Sequence, residues 1–286
     1  MAADSAQSAD GDSPPLPVSP AGVLDRWIDF WAGVFGLTGA LYWLCQDTVA
    51  WTWRAFVTRQ VRIGIGALTA QIVRVGVRSI SIVVLVSGSI GIILAFQTSP
   101  TLEQYGQTDK VANLIGVAVF RELGPLIAAI VMVGFAGASI AAELGTMVVG
   151  EEIEALEAMG LNPVRYLVVP RLIATVVSLL ALAVISNVTA VFFGMVIGTT
   201  VLGIPYDLYM SNTISQLRMQ DFLTGLAKAG VFGLLLGLIA CYNGLRVTGG
   251  AAGVGRATTE TVVQTVIFVI LSDLLFSTLF YAIGWT

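Results

Sequence analysis

Five ionisable side chains stand inside long apolar stretches of this sequence, where a charge has to be stabilised by its surroundings. They are Arg121, Glu122, Glu143, Lys228 and Asp273. A charge at membrane depth costs about 2.5–3.5 kcal/mol on insertion scales, so retained charges usually face a bundle interior or a water-filled pathway. We expect Arg121, Glu122 and Lys228 to form a polar cluster facing a cavity, where Arg121 and Lys228 would suit a phosphate group. The alternative is a structural pair, in which Glu122 neutralises Lys228 or Arg121.

Glu143 and Asp273 fit a structural role better, because each carboxylate can accept hydrogen bonds from neighbouring helices. A proton relay is the other interpretation, and the sequence supplies no series of partner residues for it. A secondary transporter coupled to ions or protons through Glu122, Glu143 and Asp273 therefore stays open as an alternative function.

A short acidic segment follows the second long apolar stretch, and residues 151–160 read EEIEALEAMG. The apolar side chains recur three residues apart, as on one face of a helix, and most of the others are acidic. The apolar set is Ile153, Leu156 and Met159, and the acidic set is Glu151, Glu152, Glu154 and Glu157. Gly160 and Pro163 end the helix. Because so short a helix is marginal in water, we expect it to dock on the membrane domain or on a partner. The alternative is a solvated connector.

The composition excludes several catalytic chemistries. The sequence has no His, which removes His-dependent acid–base and metal chemistry. Its lysines are Lys110 and Lys228, and neither stands in the Gly-Lys-Ser/Thr sequence of a Walker A site, so the chain cannot host a P-loop ATPase. The Gly-rich stretch 248–263 is expected to be a flexible cytoplasmic turn instead. We expect no enzymatic activity, no metal and no cofactor in this chain.

The overall composition is that of a membrane protein. The mean hydropathy of +0.88 and the 11% of charged residues are too apolar for a soluble domain. The formal net charge is −4 and the basic residues are dispersed, which argues against nucleic acid as a partner. Cys45 and Cys241 have no ligand spacing around them, so neither a metal site nor a disulfide framework is indicated.

Several stretches reach the roughly 20 apolar residues that a transmembrane helix needs. We predict an all-α polytopic protein, with a disordered cytoplasmic tail at 1–20 and one membrane domain at 21–286. Its five spans are predicted at about 64–97, 115–148, 172–201, 222–242 and 262–283. Arginines gather before the first span, after the second and between the fourth and fifth. The positive-inside rule then places the amino terminus in the cytoplasm and the carboxyl terminus outside.

The stretch from Trp27 to Cys45 is nearly long enough to be a sixth span. Its clustered aromatic residues, and the charges at Asp25, Arg26 and Asp29, favour a helix at about 25–46 that lies in the headgroup region. A sixth crossing is the alternative, and it would change the number of times that the chain traverses the membrane.

Small residues recur four positions apart in three of the predicted spans. The stripes are Gly137, Ala141 and Gly145 in the second span, Gly194 and Gly198 in the third, and Gly233 and Gly237 in the fourth. Small residues let helices approach closely in a bilayer. Packing within the chain is favoured for each stripe, and a seam between two copies is the alternative.

Four stretches, in this order, resemble the MlaE/YrbE permease family of ABC transporters. They read RELGPLIAAI, AGASIAAELGTM, EEIEALEAMGLNPVRYLVVPR and GVGRATTETVV, and the similarity runs from about Trp27 to the carboxyl terminus. The resemblance implies an interfacial amino-terminal helix, five transmembrane helices, a permease dimer and a coupling helix between the second and third spans. Two positions depart from the family pattern, because Phe135 and Glu260 stand where the family commonly has Arg.

The resemblance also implies a function. It implies transport of phospholipid or a related lipid between the inner and outer membranes, with a separate cytoplasmic ATPase that binds ATP and a periplasmic MCE-domain protein. By position, Arg121, Glu122 and Leu123 match the motif near the lipid pocket, Lys228 matches its charged companion, and 151–160 matches the coupling segment. We expect acyl chains to contact the apolar walls, for example Ile90, Leu94 and Leu123. A second permease copy is expected, as a homodimer rather than a heterodimer, in a bacterial inner membrane. A membrane scaffold without transport activity is a further alternative.

Overall fold

The computed structural model describes residues 36, 38–48, 50, 51 and 65–285. The chain divides into two units, residues 1–43 and 44–286. Residues 36 and 38–43 of the first unit are helical, and so are residues 44–48, 50 and 51 of the second. The predicted tail at 1–20, and the first part of the helix predicted at about 25–46, lie outside the described residues. The location of that helix in the headgroup region stays a prediction.

Five helical stretches of the second unit are long and apolar enough to cross a membrane, and the predicted all-α, multi-pass fold is thereby confirmed. Span 1 is Leu68–Gln104, span 2 is Thr108–Val149, span 3 is Val164–Thr200, span 4 is Met219–Leu245 and span 5 is Gly250–Ile283. Most of these helices extend beyond the predicted boundaries. Span 3, for example, begins before Arg165 and Arg171, because a helix continues past the apolar residues that reveal it.

Three of the spans are interrupted by tighter or wider turns. Span 1 joins the helices Ile65–Val75 and Ile80–Gln104 through the 3₁₀ turn Val77–Ser79. Span 2 begins with the 3₁₀ turn Thr108–Lys110 and comprises the helices Val111–Ala118, Gly124–Met132 and Ala138–Val149, separated by the π turns Val119–Leu123 and Val133–Gly137. Span 3 has the π turn Val164–Val168 before the helix Val169–Thr200. Two shorter helices, Glu152–Ala158 and Tyr206–Gln216, follow spans 2 and 3.

Span 3 lies at the centre of the bundle. Spans 1, 2 and 4 pack against it, and span 5 packs against spans 2 and 4. The main core contains fully buried side chains from spans 2, 3 and 4, such as Met132, Leu179 and Phe232. Span 5 is the least buried of the five. Spans 2, 4 and 5 therefore meet along one side of the bundle, where the polar residues described below lie.

The small-residue stripes pack within the chain, as the sequence favoured. A side chain added at Gly194 would meet Ile115 of span 2, and one added at Gly233 would meet Val176 of span 3. One added at Gly145 would meet the beginning of span 5. In a bilayer, replacing lipid contacts with contacts between apolar side chains does little to drive helix association. Close approach at small residues adds van der Waals contacts between the helices.

The Gly-rich stretch 248–263 is not the flexible turn that we predicted. Span 5 begins at Gly250, directly after Gly249, whose φ of 85° is in the left-handed region. Alanines at 251 and 252 favour the helix that follows. The predicted start of the span, at about residue 262, lies about three turns inside the helix. Glycine content alone was misleading here, because the surrounding residues are good helix formers.

Candidate functional site

The π turn Val119–Leu123 presents two adjacent charges, Arg121 and Glu122, from the wall of span 2. A π turn adds a residue to the helical turn and shifts the side chains that follow, and such turns are frequent at functional sites. Leu123, the third residue of the predicted motif, ends this turn and is half-buried. The motif therefore coincides with a local departure from α-helical geometry.

Span 4 approaches this π turn at Gly225. A Cβ placed on Gly225 would lie only 2.1 Å from the carbonyl oxygen of Phe120, so only glycine permits this contact. Lys228 lies three residues further along the same helix and on the same face. The close approach at Gly225 thus places the Lys228 side chain beside Glu122.

Lys228 connects spans 2, 4 and 5. Its Nζ donates hydrogen bonds to Glu122 Oε2 at 2.5 Å and to Ser277 Oγ at 2.9 Å, and it forms an ion pair with Asp273 Oδ1 at 2.9 Å. Ser277 Oγ in turn donates to Glu122 Oε1 at 2.9 Å. We call Glu122, Lys228, Asp273 and Ser277 the lysine cluster. Three spans are joined through one ammonium group.

The lysine cluster lies at membrane depth and is unevenly exposed. Lys228 is nine residues from the start of its helix, which corresponds to about 14 Å along the axis. The Lys228 side chain is fully buried, whereas 18% of Asp273 and 35% of Glu122 are accessible. The open side of the cluster is therefore made of carboxylate.

Arg121 does not join the lysine cluster. Its Nε lies 3.4 Å from Asp221 Oδ1 of span 4, and its Nη2 donates to the carbonyl oxygen of Trp285 at 2.9 Å. Asp221 is buried and also accepts from the backbone of Arg218. The structure thus brings together Glu122 and Lys228 of the predicted set, with Arg121 beside them in a separate pair.

A second group of charges links spans 1, 2 and 3. Glu143 of span 2 bonds to Arg74 of span 1, and its Oε2 lies 3.4 Å from Arg171 Nη2 of span 3. Arg171 is buried and also donates to the carbonyl of Leu167. We call Arg74, Glu143 and Arg171 the arginine cluster. The structural role expected for Glu143 agrees with these contacts.

The two clusters lie near opposite ends of span 2. Glu122 and Glu143 are 21 residues apart, which corresponds to about 30 Å of helix, close to the thickness of a hydrocarbon core. Residues 123–142 between them include no ionisable side chain. A proton relay from Glu122 to Glu143 therefore has no titratable intermediate on this helix.

The predicted apolar wall residues are not gathered around the lysine cluster. Ile90 and Leu94 are half-buried on span 1, which packs mainly against span 3. Leu94 packs on a smaller core cluster that includes Ile115 and Tyr209. Of the three predicted wall residues, only Leu123 lies beside the charged residues in sequence. The prediction that Ile90 and Leu94 contact lipid acyl chains stays a prediction.

The acidic segment forms the helix Glu152–Ala158, slightly shorter than the predicted 151–160. Ile153 and Leu156 are half-buried and pack on the main core of the bundle, whereas 66% of Met159 is exposed. All four acidic side chains are exposed, as is Gly160, which ends the segment with a φ of 72°. Glu151, just before the helix, has a φ of 57°. The segment therefore packs on the membrane domain through its apolar side chains and exposes an acidic surface.

Sequence reasoning placed Asp273 outside the predicted site and did not consider Ser277 or Asp221. A signal for the first two was present, because residues four apart lie on one face of a helix. Asp273 and Ser277 form such a pair on span 5 and both contact Lys228. The pairing of Asp221 with Arg121 depends on how spans 2 and 4 approach each other, which no local pattern reveals.

Comparison with known proteins agrees with this architecture. The sequence model of the family described as Permease MlaE matches residues 68–279, which contain most of the five spans. A probable ABC transporter permease protein of Rickettsia felis is 35% identical over 213 residues, which are 74% of this chain and 82% of the relative. A probable ABC transporter permease protein of Synechocystis is 33% identical over 211 residues, covering 74% of this chain and 80% of the relative.

A plant relative extends the comparison. The chloroplastic protein TRIGALACTOSYLDIACYLGLYCEROL 1 of Arabidopsis thaliana is 32% identical over 211 residues, which are 74% of this chain and 60% of the plant protein. The family match covers the membrane-spanning region in which the two charged clusters lie. The chain is a multi-pass membrane protein that belongs to the MlaE permease family, and its relatives in Rickettsia felis and Synechocystis are named as probable permeases of ABC transporters.

Proposed function

We propose that this chain is the permease subunit of an ABC transporter that moves phospholipid or a related lipid, driven by ATP hydrolysis on a separate ATPase. The observation that carries the proposal is a fully buried lysine, held at membrane depth by two carboxylates, in a chain of the MlaE permease family. Charges retained at this depth usually serve a pathway or a binding site.

A lipid substrate is supported by two further points. The name of the plant relative refers to trigalactosyldiacylglycerol, which is a glycolipid. The lysine cluster lies between apolar spans, with its carboxylates partly accessible, so a polar headgroup could contact the cluster while acyl chains stay in apolar surroundings. We assign Arg121, Glu122, Leu123 and Lys228 to the headgroup region of this site. Ile90 and Leu94 of span 1, which are not gathered around the lysine cluster, are assigned to the apolar surroundings of the acyl chains.

The helix Glu152–Ala158 is proposed as the coupling element. It connects spans 2 and 3, and Ile153 and Leu156 seat it on the main core, so a displacement of the helix would be passed to the packed bundle. The exposed glutamates of this segment offer an acidic surface to a basic site on the ATPase.

The proposed assembly is supported by the family and by the charge distribution. A second copy of the chain completes the transport cavity, and a periplasmic MCE-domain protein exchanges lipid with it. The coupling helix and the amino terminus lie on the cytoplasmic side of a bacterial inner membrane in this proposal, with the carboxyl terminus in the periplasm. The arginines between the spans support this orientation through the positive-inside rule.

Reconstitution tests the proposal. The chain is placed in vesicles with a labelled phospholipid, and transfer to acceptor vesicles is followed with the ATPase and ATP, with the ATPase alone, or with a pH gradient alone. We expect transfer only in the first case. Transfer driven by the pH gradient alone would instead establish a secondary transporter, and absence of transfer in every case would favour a scaffold.

A charge reversal tests the coupling helix. Glu152→Lys with Glu154→Lys should abolish association of the ATPase, because two attractive charges become repulsive. The matched control is Glu103→Lys with Asp207→Lys, which reverses two exposed acids outside the segment and should leave association unchanged. An intact complex with the first variant would refute the assignment.

A further inference from the structure

The lysine cluster has more hydrogen-bond acceptors than donors. The Lys228 ammonium has three N–H groups, and the three partners that the described residues offer to Nζ belong to the cluster itself: Glu122, Asp273 and Ser277. The Ser277 hydroxyl uses its own hydrogen on Glu122. The cluster therefore retains no donor with which to bind a phosphate.

Its acceptor capacity is, in contrast, only partly used. Each Glu122 oxygen accepts one hydrogen bond, from Lys228 or from Ser277, and Asp273 Oδ1 is paired with Nζ at 2.9 Å. Glu122 is also the most accessible side chain of the three charged residues. A carboxylate oxygen can accept more than one hydrogen bond. The accessible groups of the cluster are thus carboxylate oxygens that can accept further hydrogen bonds.

The cluster also carries an unbalanced charge. Two carboxylates surround one ammonium, so the cluster carries one excess negative charge when both carboxylates are ionised. The neighbouring cation, Arg121, is already paired with Asp221, so it does not neutralise this excess. A charge left unbalanced in apolar surroundings is costly, and a cationic ligand would remove that cost.

From the proposed lipid transport, on which this step rests, we infer that the lysine cluster selects lipids with a primary ammonium in the headgroup. The ammonium contacts Glu122 and Asp273, and Lys228 holds these two carboxylates in position. A primary ammonium supplies both the missing charge and the missing N–H donors, whereas a quaternary ammonium supplies only the charge.

The Arg121 side chain fits the other half of such a headgroup. A guanidinium has five N–H donors, and Arg121 pairs through Nε and Nη2, so donors remain for a phosphate oxygen. Arg121 and Glu122 are adjacent in the chain and both are partly accessible. Of the two cations predicted to contact a phosphate, only Arg121 keeps this role. A phosphoethanolamine headgroup, which carries both a phosphate and a primary ammonium, therefore matches the site best.

The test uses the full permease–ATPase complex purified from vesicles that contain equal parts of phosphatidylethanolamine, phosphatidylcholine and phosphatidylglycerol. Retained lipid is identified by mass spectrometry. We expect phosphatidylethanolamine to be enriched roughly tenfold over phosphatidylglycerol, the scale of one hydrogen bond to a charged group. Equal retention of the three lipids, or enrichment of the anionic one, would overturn the inference.

Asp273→Asn tests the origin of the preference, because it removes the excess negative charge and leaves the Glu122–Lys228 pair in place. The preference should fall at least several-fold, whereas Asp207→Asn, an exposed control outside the cluster, should preserve it. A preference that survives Asp273→Asn would contradict the inference. It would show that the negative charge of Asp273 is not needed, as when a proton bound to Asp273 already neutralises it. ATP-dependent transfer without headgroup preference would leave the proposed function standing, and loss of all transfer would refute that function separately.

Discussion

The two charged clusters use a glutamate of the same helix in opposite ways. In the lysine cluster, two carboxylates share one cation that is fully buried. In the arginine cluster, two cations share the single carboxylate of Glu143, and nearly half of the Arg74 side chain is exposed. An exposed ion pair is screened and contributes little, whereas a buried charge depends on its partners. The difference indicates that the arginine cluster joins helices near a membrane surface. The lysine cluster instead holds charged groups within the membrane, where each charge must be stabilised by its partners.

The largest effect is expected at Lys228. Lys228→Met leaves two carboxylates together without their cation, which should destabilise the protein by about 3–5 kcal/mol in denaturation measurements in micelles. Adding Glu122→Gln and Asp273→Asn to this variant should restore most of the stability, because no uncompensated charge then remains. A single variant as stable as the wild type would remove the distinction between the clusters.

The approach of span 4 to the π turn is expected to matter next. Gly225→Ala would place a methyl group 2.1 Å from the Phe120 carbonyl oxygen, and a backbone shift should destabilise the protein by about 1–3 kcal/mol. Gly230→Ala, on the same helix, is the control, since its added Cβ would lie 3.7 Å from Leu180. Equal stability of the two variants would show that Lys228 does not depend on this contact for its position.

The arginine cluster should respond unequally to loss of its two cations. Arg171→Gln should cost about 1–3 kcal/mol, because a buried donor to Glu143 and Leu167 is removed. Arg74→Gln should cost only about 0.2–1 kcal/mol, because Arg74 is half exposed. Comparison of the two denaturation midpoints checks this order, and the reverse order would contradict the assignment of burial as the deciding factor.

Much of the architecture could be predicted because a bilayer imposes a length on apolar helices. The five spans and the stripe packing followed from hydropathy and from small residues such as Gly194 and Gly233. The beginning of span 5 did not follow, because glycines at 249 and 250 were given more weight than the alanines after them. Helix ends outside the apolar region have no comparable signal.

The candidate site could be predicted only in part. Glu122 and Lys228 stood out as charges in apolar sequence, and they do meet. The engagement of Asp273 and the separate pairing of Arg121 depend on which faces of spans 2, 4 and 5 contact one another, and that is set by the close approach at Gly225 and by the π turn. These are tertiary features, and the spacing of charged residues along the sequence does not reveal them.

ATP-dependent lipid transfer by the reconstituted complex tests the central claim most directly. With the ATPase present, labelled phospholipid should leave the vesicles when ATP is hydrolysed, and transfer should stop with Glu152→Lys and Glu154→Lys, which detach the motor from the membrane subunit. Undiminished transfer without the ATPase, or with that variant, would contradict the account.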